Sequence, residues 1–457
     1  MILLFRLSAP RGEIHVPAKG RSVIVTLLLL PLGQLRAQQP VAPTQTVTGS
    51  ISKADRERAM GILDNVAKGI RDNYYDANLN GVDWDAVIAG ARLKIAQSNS
   101  LNAALAQIAA AVNRLNDSHT IFQPPYHPVK LDYGLEYQVI WSRCFVTRVR
   151  PGSDAEAKGL KPGAEILSID GIAPRRQNLW NLAYLIYDLD PREEMALEVQ
   201  LPSGEKQSLQ IKAKITQSSD VVARWGGGVR NDLIRESENE RHRMRMQLEQ
   251  FGDVGVLKIP EFFYGADTVY NLGGKIRNDK ALIVDLRGNP GGSVDTLKYL
   301  LGMFFDKDVK MCDRVERKKT SAEIIKHEHH IYFPGKLIVL VDSASASASE
   351  IFARVIQLEK RGTVLGDLSS GYVMEAEGFS FFSSGVDYGA EITVANPIMT
   401  DGKSLEHHGV KPDEMLVPQP TDLESGRDPV LSHAAEELGV AITPEVAGKL
   451  FPYEWPK

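Results

Sequence analysis

The stretch "KLIVLVDSASASASEIFARVIQLEKRGTVLGD", Lys336 to Asp367, constrains the fold more than any other part of the chain. "KLIVLV" reads as a buried strand, and "ASEIFARVIQLEKRG" carries apolar residues at helical spacing as far as Gly362. "TVLGD" then reads as a further strand. A strand, a helix and a strand with no linker between them call for a layered α/β arrangement. Ser343, Ser345, Ser347 and Ser349 fill the strand-to-helix turn, a place where a flexible spacer has no use. A serine there lies beside the free N–H groups and the positive dipole end of the helix, which favour the oxyanion of an acyl-transfer intermediate. The small alanines between the serines leave room for a substrate backbone. Composition does not choose among the four.

The same alternation extends upstream to about Phe251. "VGVLKIPEF" and "KALIVDLRGN" are strand-like, and "VDTLKYLLGMFF" is helix-like. "DLRGNPGG" looks superficially like a phosphate loop but lacks the Lys-Ser/Thr ending that a P-loop needs. The net charge of −5 comes with no long basic block, so nucleic acid is not an expected partner. Two cysteines, Cys144 and Cys312, allow one disulfide and have no metal-ligand spacing. "KHEHHIYF" fails the helical HExxH pattern because position 331 is Ile, so an exposed loop is expected there. No cofactor or metal is expected.

At the start of the chain, Lys19 and Arg21 precede the apolar run "VIVTLLLLPLG", and "QLRAQQP" follows. This is the order of a signal peptide, with cleavage expected near Ala37 and a periplasmic or secreted product. The run is shorter than the ~20 residues a bilayer span needs, so no stable membrane insertion is expected after cleavage. Helical periodicity occupies "RAMGILDNVAKGI" and "LNAALAQIAAAVNRL". The stretch "CFVTRVRPGSDAEAKGLKPGAEILSIDGIAP" resembles a PDZ domain, a module that binds an extended peptide as an added strand. That resemblance places peptide binding at Gly134, Leu135, Glu136 and Tyr137, although Glu136 would repel a peptide C-terminus. The expected organisation is a signal peptide over 1–37, a linker over 38–52, a helical domain over 53–126, a PDZ domain over 131–213, an α/β core over 240–420 and an extension over 421–457.

"SASASE" with the helix after it, "DLRGNPGG" upstream and "GVKPD" downstream resemble the tail-specific (C-terminal processing) serine proteases and the related tricorn protease. The resemblance runs from residue 53 to about 418. It implies a crotonase/ClpP-like α/β protease core with an N-terminal helical domain and an inserted PDZ domain. It also implies that Ser347, three residues before Glu350, is the nucleophile. Tail-specific proteases place a lysine base further on, where this chain has Tyr372. A tyrosine, with a pKa near ~10, is a poor replacement. The tricorn branch uses a Ser-His pair and a glutamate instead, and "LNDSHT" and "SLEHHGVKPD" supply Ser118, His119 and Glu406 in the corresponding places. His407 or His408 is the alternative to Glu406. An oxyanion hole at the amides of Gly292 and Ala348 completes the implied site.

Two functions follow. One is an exported serine endopeptidase acting on polypeptides, and the other is a catalytically inactive peptide-binding protein of the same fold. Tyr372 favours the second, and the Ser118/His119/Glu406 set favours the first. With His119 as base, the acidic limb of activity is expected around or just below neutrality, because the Glu406 carboxylate would raise the imidazole pKa. The oligomeric state stays open.

Overall fold

The computed structural model describes residues 51–125, 129–217, 242–383 and 386–456. The expected signal peptide, its cut site near Ala37 and nearly all of the 38–52 linker lie outside these residues. Among the described residues, no helix is long and apolar enough to cross a membrane.

Three helices come first: α1 (Lys53–Asn73), α2 (Trp84–Gln97) and α3 (Leu101–Val112). Ser52, Asp83 and Ser100 cap them, each side chain accepting from the amide three residues on. Their apolar stripes, including Ile62, Ile70, Ile95 and Ile108, do not close on one another alone. They share one core with Tyr388, Ala390 and Ile392 from far along the chain. Strand β1 (Ile121–Gln123) adds to the same distant segment, pairing with 389–391.

The second unit runs through β2 (Val129–Asp132), β3 (Leu135–Ile140), β4 (Arg143–Val149), α4 (Asp154–Ala157), β5 (Glu165–Ile169), α5 (Leu179–Tyr184), β6 (Glu194–Gln200), β7 (Lys206–Lys212) and β8 (Lys214–Gln217). Strands β2 and β8 pair as a two-stranded neck. The five between them form one antiparallel sheet in the order β3-β4-β5-β6-β7, which leaves β3 on an edge. "EMALEVQ" alternates as a half-buried strand must, sending Met195, Leu197 and Val199 inward.

The third unit carries β9 (Gln247–Phe251), β10 (Val254–Lys258), α6 (Ala266–Ile276), β11 (Ala281–Asp285), α7 (Val294–Gly302), β12 (Val309–Glu316), β13 (Thr320–Ile325), β14 (Lys336–Val341), α8 (Ala348–Leu358), β15 (Thr363–Gly366), β16 (Glu375–Ser383), β17 (Val386–Met399) and β18 (Glu414–Met415). Its main sheet has the order β18-β15-β14-β11-β10-β9, parallel except for β9. β11 is buried on both faces, with Leu282 and Val284 in one core and Ile283 in the other. Helices α6, α7 and α8 cover the first face. After the short α9 (Pro420–Ser425), α10 (Pro429–Glu437) and α11 (Pro444–Ala447) contribute Val430, Leu431, Ala434 and Ala447 to the second. A second sheet, β1-β17-β12-β13 with β16 on β17, carries the core of the three N-terminal helices.

Both cysteines are buried and free, Cys144 in the second unit and Cys312 in the third, so the one disulfide the sequence allowed does not form. The histidine cluster is a tight turn: His327 Nδ1 lies 2.8 Å from Asp308, and its Nε2 lies 2.5 Å from that of His329.

Candidate active site

The site starts from the turn between β14 and α8. Ser343, Ser345 and Ser349 each donate a hydroxyl to a main-chain carbonyl, respectively of Val139, Leu286 and Asn289. Ser347 has no such carbonyl among the described residues. It stands at the N-cap of α8 with φ 55° and ψ −117°, left-handed backbone that a residue with a Cβ rarely adopts. A strained serine between a strand and a helix holds its side chain out of the turn. Its N–H donates to the Tyr372 carbonyl at 2.7 Å.

The glycine turn 288–292 lies against it. A Cβ on Gly291 would come within 2.6 Å of Ser347 Cβ and 3.0 Å of the Ala348 nitrogen, so only glycine fits there. Buried Asn289 joins the two turns: its carbonyl accepts from the Ala346 amide (3.0 Å) and the Ser349 hydroxyl (2.9 Å). Its Oδ1 accepts from the Gly291 amide at 2.8 Å. The amides of Gly292 and Ala348 donate to no described residue, which leaves both free to receive an oxyanion. Below the turn, Arg287 forks onto Asp285 (2.8 Å) and Asp428 (2.7 Å). Burial pushes the Asp285 carboxyl up, but Arg287 and Lys258 outweigh it and hold the group well below the usual carboxylate range.

The Ser118–His119 pair comes from the turn between the N-terminal helices and β1. Asp117 Oδ1 accepts from the amides of His119 (2.9 Å) and Thr120 (2.7 Å) and from Thr393 Oγ1 (2.8 Å), which fixes the turn. Ser118 Oγ lies 2.7 Å from His119 Nδ1 and donates to Glu406 Oε2 at 2.9 Å. Having donated there, the hydroxyl can only accept from the imidazole, so Nδ1 carries the proton and Nε2 is the free base. Glu406, itself buried, also accepts from the Ser118 amide (2.8 Å, Oε1) and the Val373 amide (2.9 Å, Oε2). One peptide unit therefore spans the site. Its Tyr372 carbonyl binds the Ser347 amide, and its Val373 N–H binds the Glu406 carboxylate.

His407 and His408 are not the partner. Their rings meet the carbonyls of Asn116 (2.9 Å) and Glu406 (2.7 Å). The Tyr372 hydroxyl reaches only toward the Arg176 carbonyl (3.4 Å), and burial, with Glu406 and Glu350 adding to it, pushes its pKa up to about 12. A phenol held protonated cannot serve as base. The expected electrostatics of His119 need correcting: burial lowers its pKa, Asp117 opposes that only in part, and Glu406 acts on Ser118 rather than on the ring.

Gly134, at φ 71°, immediately precedes the edge strand β3, which Leu135, Glu136 and Tyr137 begin. The Gly134 amide already donates to Asp132 Oδ1 (2.8 Å), and Arg150 pairs with the same carboxylate (2.6 Å). Glu136 Oε1 accepts from the Tyr453 hydroxyl at 2.7 Å. Leu135 and Tyr137 are buried. This unit also reaches the core at Asp367: Arg176 pairs with its carboxylate (2.9 Å), and the Trp141 amide donates to the same group (2.7 Å). Sequence reading missed Asn289, Asp367 and the buried Glu350; the only sign of them was a polar residue set among glycines or apolar neighbours.

An α/β core with a strained serine, a Ser-His pair and two free amides has the layout of a serine peptidase. Residues 253–416 match the model of peptidase family S41. Among curated relatives, the carboxy-terminal processing protease CtpA of Bacillus subtilis (strain 168) is 26% identical over 263 residues, 57% of this chain and 50% of its own length. The tail-specific protease of Haemophilus influenzae (strain ATCC 51907 / DSM 11121 / KW20 / Rd) is 27% identical over 244 residues, 50% of this chain and 32% of its own. The chain thus spans half or less of these two relatives. In fold it is similar to mature CPAF (TM-score 0.61, 15% identity, 81% of this chain and 95% of that one). A second similar structure is the photosystem II D1 C-terminal processing protease (TM-score 0.50, 19% identity, 79% and 93%).

Proposed function

We propose that the chain is an exported serine endopeptidase that cleaves polypeptides through Ser347, His119, Ser118 and Glu406. The observation that carries this reading is the unbroken relay from Glu406 through the Ser118 hydroxyl to His119 Nδ1, which leaves Nε2 basic. Ser347 Oγ attacks the scissile carbonyl carbon while His119 Nε2 takes its proton. The carbonyl oxygen becomes an oxyanion received by the Gly292 and Ala348 amides. His119 then returns the proton to the leaving amine as the C–N bond breaks, and water hydrolyses the acyl-enzyme by the same steps. As positive charge grows on the imidazole, the relay lets the Glu406 carboxylate stabilise it through Ser118.

The place of β3 at the edge of its sheet supports a PDZ-like role for residues 131–213, in which substrate backbone adds as a strand. Because Asp132 already occupies the Gly134 amide, an internal extended segment suits this edge better than a free C-terminal carboxylate. Contacts from Arg176 and Trp141 to Asp367 link that unit to the catalytic core and support gating. Tyr372 supplies no base, and the Glu406–Ser118–His119 set, which offers one in its place, is what supports a peptidase over an inactive protein. A serine-directed fluorophosphonate should label the wild type and not the Ser347→Ala variant; labelling of both, or of neither, would overturn the assignment.

A further inference from the structure

Glu350 sits in the first turn of α8, where a carboxylate is ordinarily a solvated capping group, yet here it is fully buried. Four donors meet it. Oε1 accepts from Ser369 Oγ (2.5 Å) and the Gly371 amide (2.7 Å), and Oε2 from the amides of Tyr372 (2.9 Å) and Ser347 (3.1 Å). Ser369 Oγ itself accepts from the Val410 amide at 2.5 Å, so its hydroxyl proton points at Glu350. No cation contacts the carboxylate among the described residues. Burial pushes its pKa up to about 7, against the pull of the donors. A buried carboxylate without a counter-ion is costly, and a residue that only filled space here would be apolar.

The donors come from two places only, Ser347 and the Ser369–Tyr372 segment. The next amide, that of Val373, is the one bound by Glu406. We infer that Glu350 is a positioning residue: it fixes the strained Ser347 backbone to the Ser369–Tyr372 segment, so that the Tyr372–Val373 peptide unit keeps the nucleophile in register with the Glu406–Ser118–His119 relay. This rests on the serine-peptidase reading above. Glu350 touches neither substrate nor the reacting atoms. It acts through the main chain of Ser347 and of the neighbouring segment, each held by the same carboxylate.

The test compares the wild-type chain with Glu350→Gln and Glu350→Asp, reading kcat and KM on a fluorogenic peptide, the rate of fluorophosphonate labelling, and Tm. In Glu350→Gln, kcat and the labelling rate should fall together, on the order of 10²-fold, as expected for a nucleophile shifted by about an ångström. KM should stay within about threefold. Tm should fall by only a few degrees, because loss of the uncompensated buried charge offsets part of the cost of the donors left unpaired. Glu350→Asp, which restores the charge on a shorter arm, should recover part of the labelling rate. Wild-type labelling in Glu350→Gln would overturn the inference, as would a loss that matches the unfolded fraction in the melting curve. Should Glu350→Gln not fold, Ser369→Ala decides, since it removes one of the four bonds; slower labelling by about fivefold in folded protein supports the role, and an unchanged rate overturns it. Failure of the wild type to label, or hydrolysis by Ser347→Ala, would sink the peptidase reading and not the placement of Glu350.

Discussion

The two halves of the site are built in opposite ways. The nucleophile half comes from neighbouring parallel strands and their turns, residues 285–292 and 336–366, and main-chain hydrogen bonds and a buried ion pair hold it. The base half joins Ser118 to Glu406 across 288 residues of sequence, and side-chain hydrogen bonds carry it. A local half is set as soon as its sheet forms, whereas the distant half exists only when the helical unit, the β16–β17 hairpin and the 404–410 loop have all met. Damage to the first should therefore appear as lost stability or lost chemistry outright, and damage to the second as a graded loss of rate.

The sharpest way to break this contrast is at its reacting atoms. Ser347→Ala and His119→Ala should each lower kcat on the order of 10⁶-fold, with little further loss in the double variant, measured on one fluorogenic peptide. Next in size is the scaffold of the nucleophile half. Arg287→Ala takes the guanidinium from buried Asp285 and from Asp428 and should cost about 3–5 kcal/mol of stability in denaturant titration, while the protein that remains folded keeps its turnover. The base half should give way by degrees: Ser118→Ala removes the link from Glu406 to His119 and should lower kcat about 10²-fold, with Tm nearly unchanged.

A pH–rate profile sharpens the comparison further. Burial lowers the His119 pKa, so the neutral base persists to lower pH, and the acidic limb of kcat/KM should lie below the ordinary histidine value of ~6.5. Asp117 is the charge that favours the protonated ring, so Asp117→Asn should move the limb lower still. The sign for stability follows from the same shift: the unfolded chain binds the proton more readily, so this group destabilises the fold as pH falls through ~6.5. The smallest effect belongs to Tyr372→Phe, which should leave kcat within about twofold, because the main chain at 372 carries the contacts that matter.

How much was legible follows the same division. The strands "KLIVLV" and "KALIVD" and the helix after Ser347 were plain from their apolar patterns. The family marker singled out Ser347, which stands at the strained N-cap of α8. The helix over 266–276, the long β16–β17 hairpin and the second-face helices α10 and α11 were not plain. Their burial depends on partners distant in sequence, and periodicity alone says nothing of partners. The Ser118, His119 and Glu406 set came from resemblance, for no local pattern ties residue 118 to residue 406. Glu350 was read as a marker for its neighbour. A glutamate in a first helical turn looks like any capping residue until its burial is known.

A bridge made of a peptide bond is indifferent to the side chain it carries. At residue 372 the carbonyl and the following amide do the joining, so the side chain there can change without dismantling the frame.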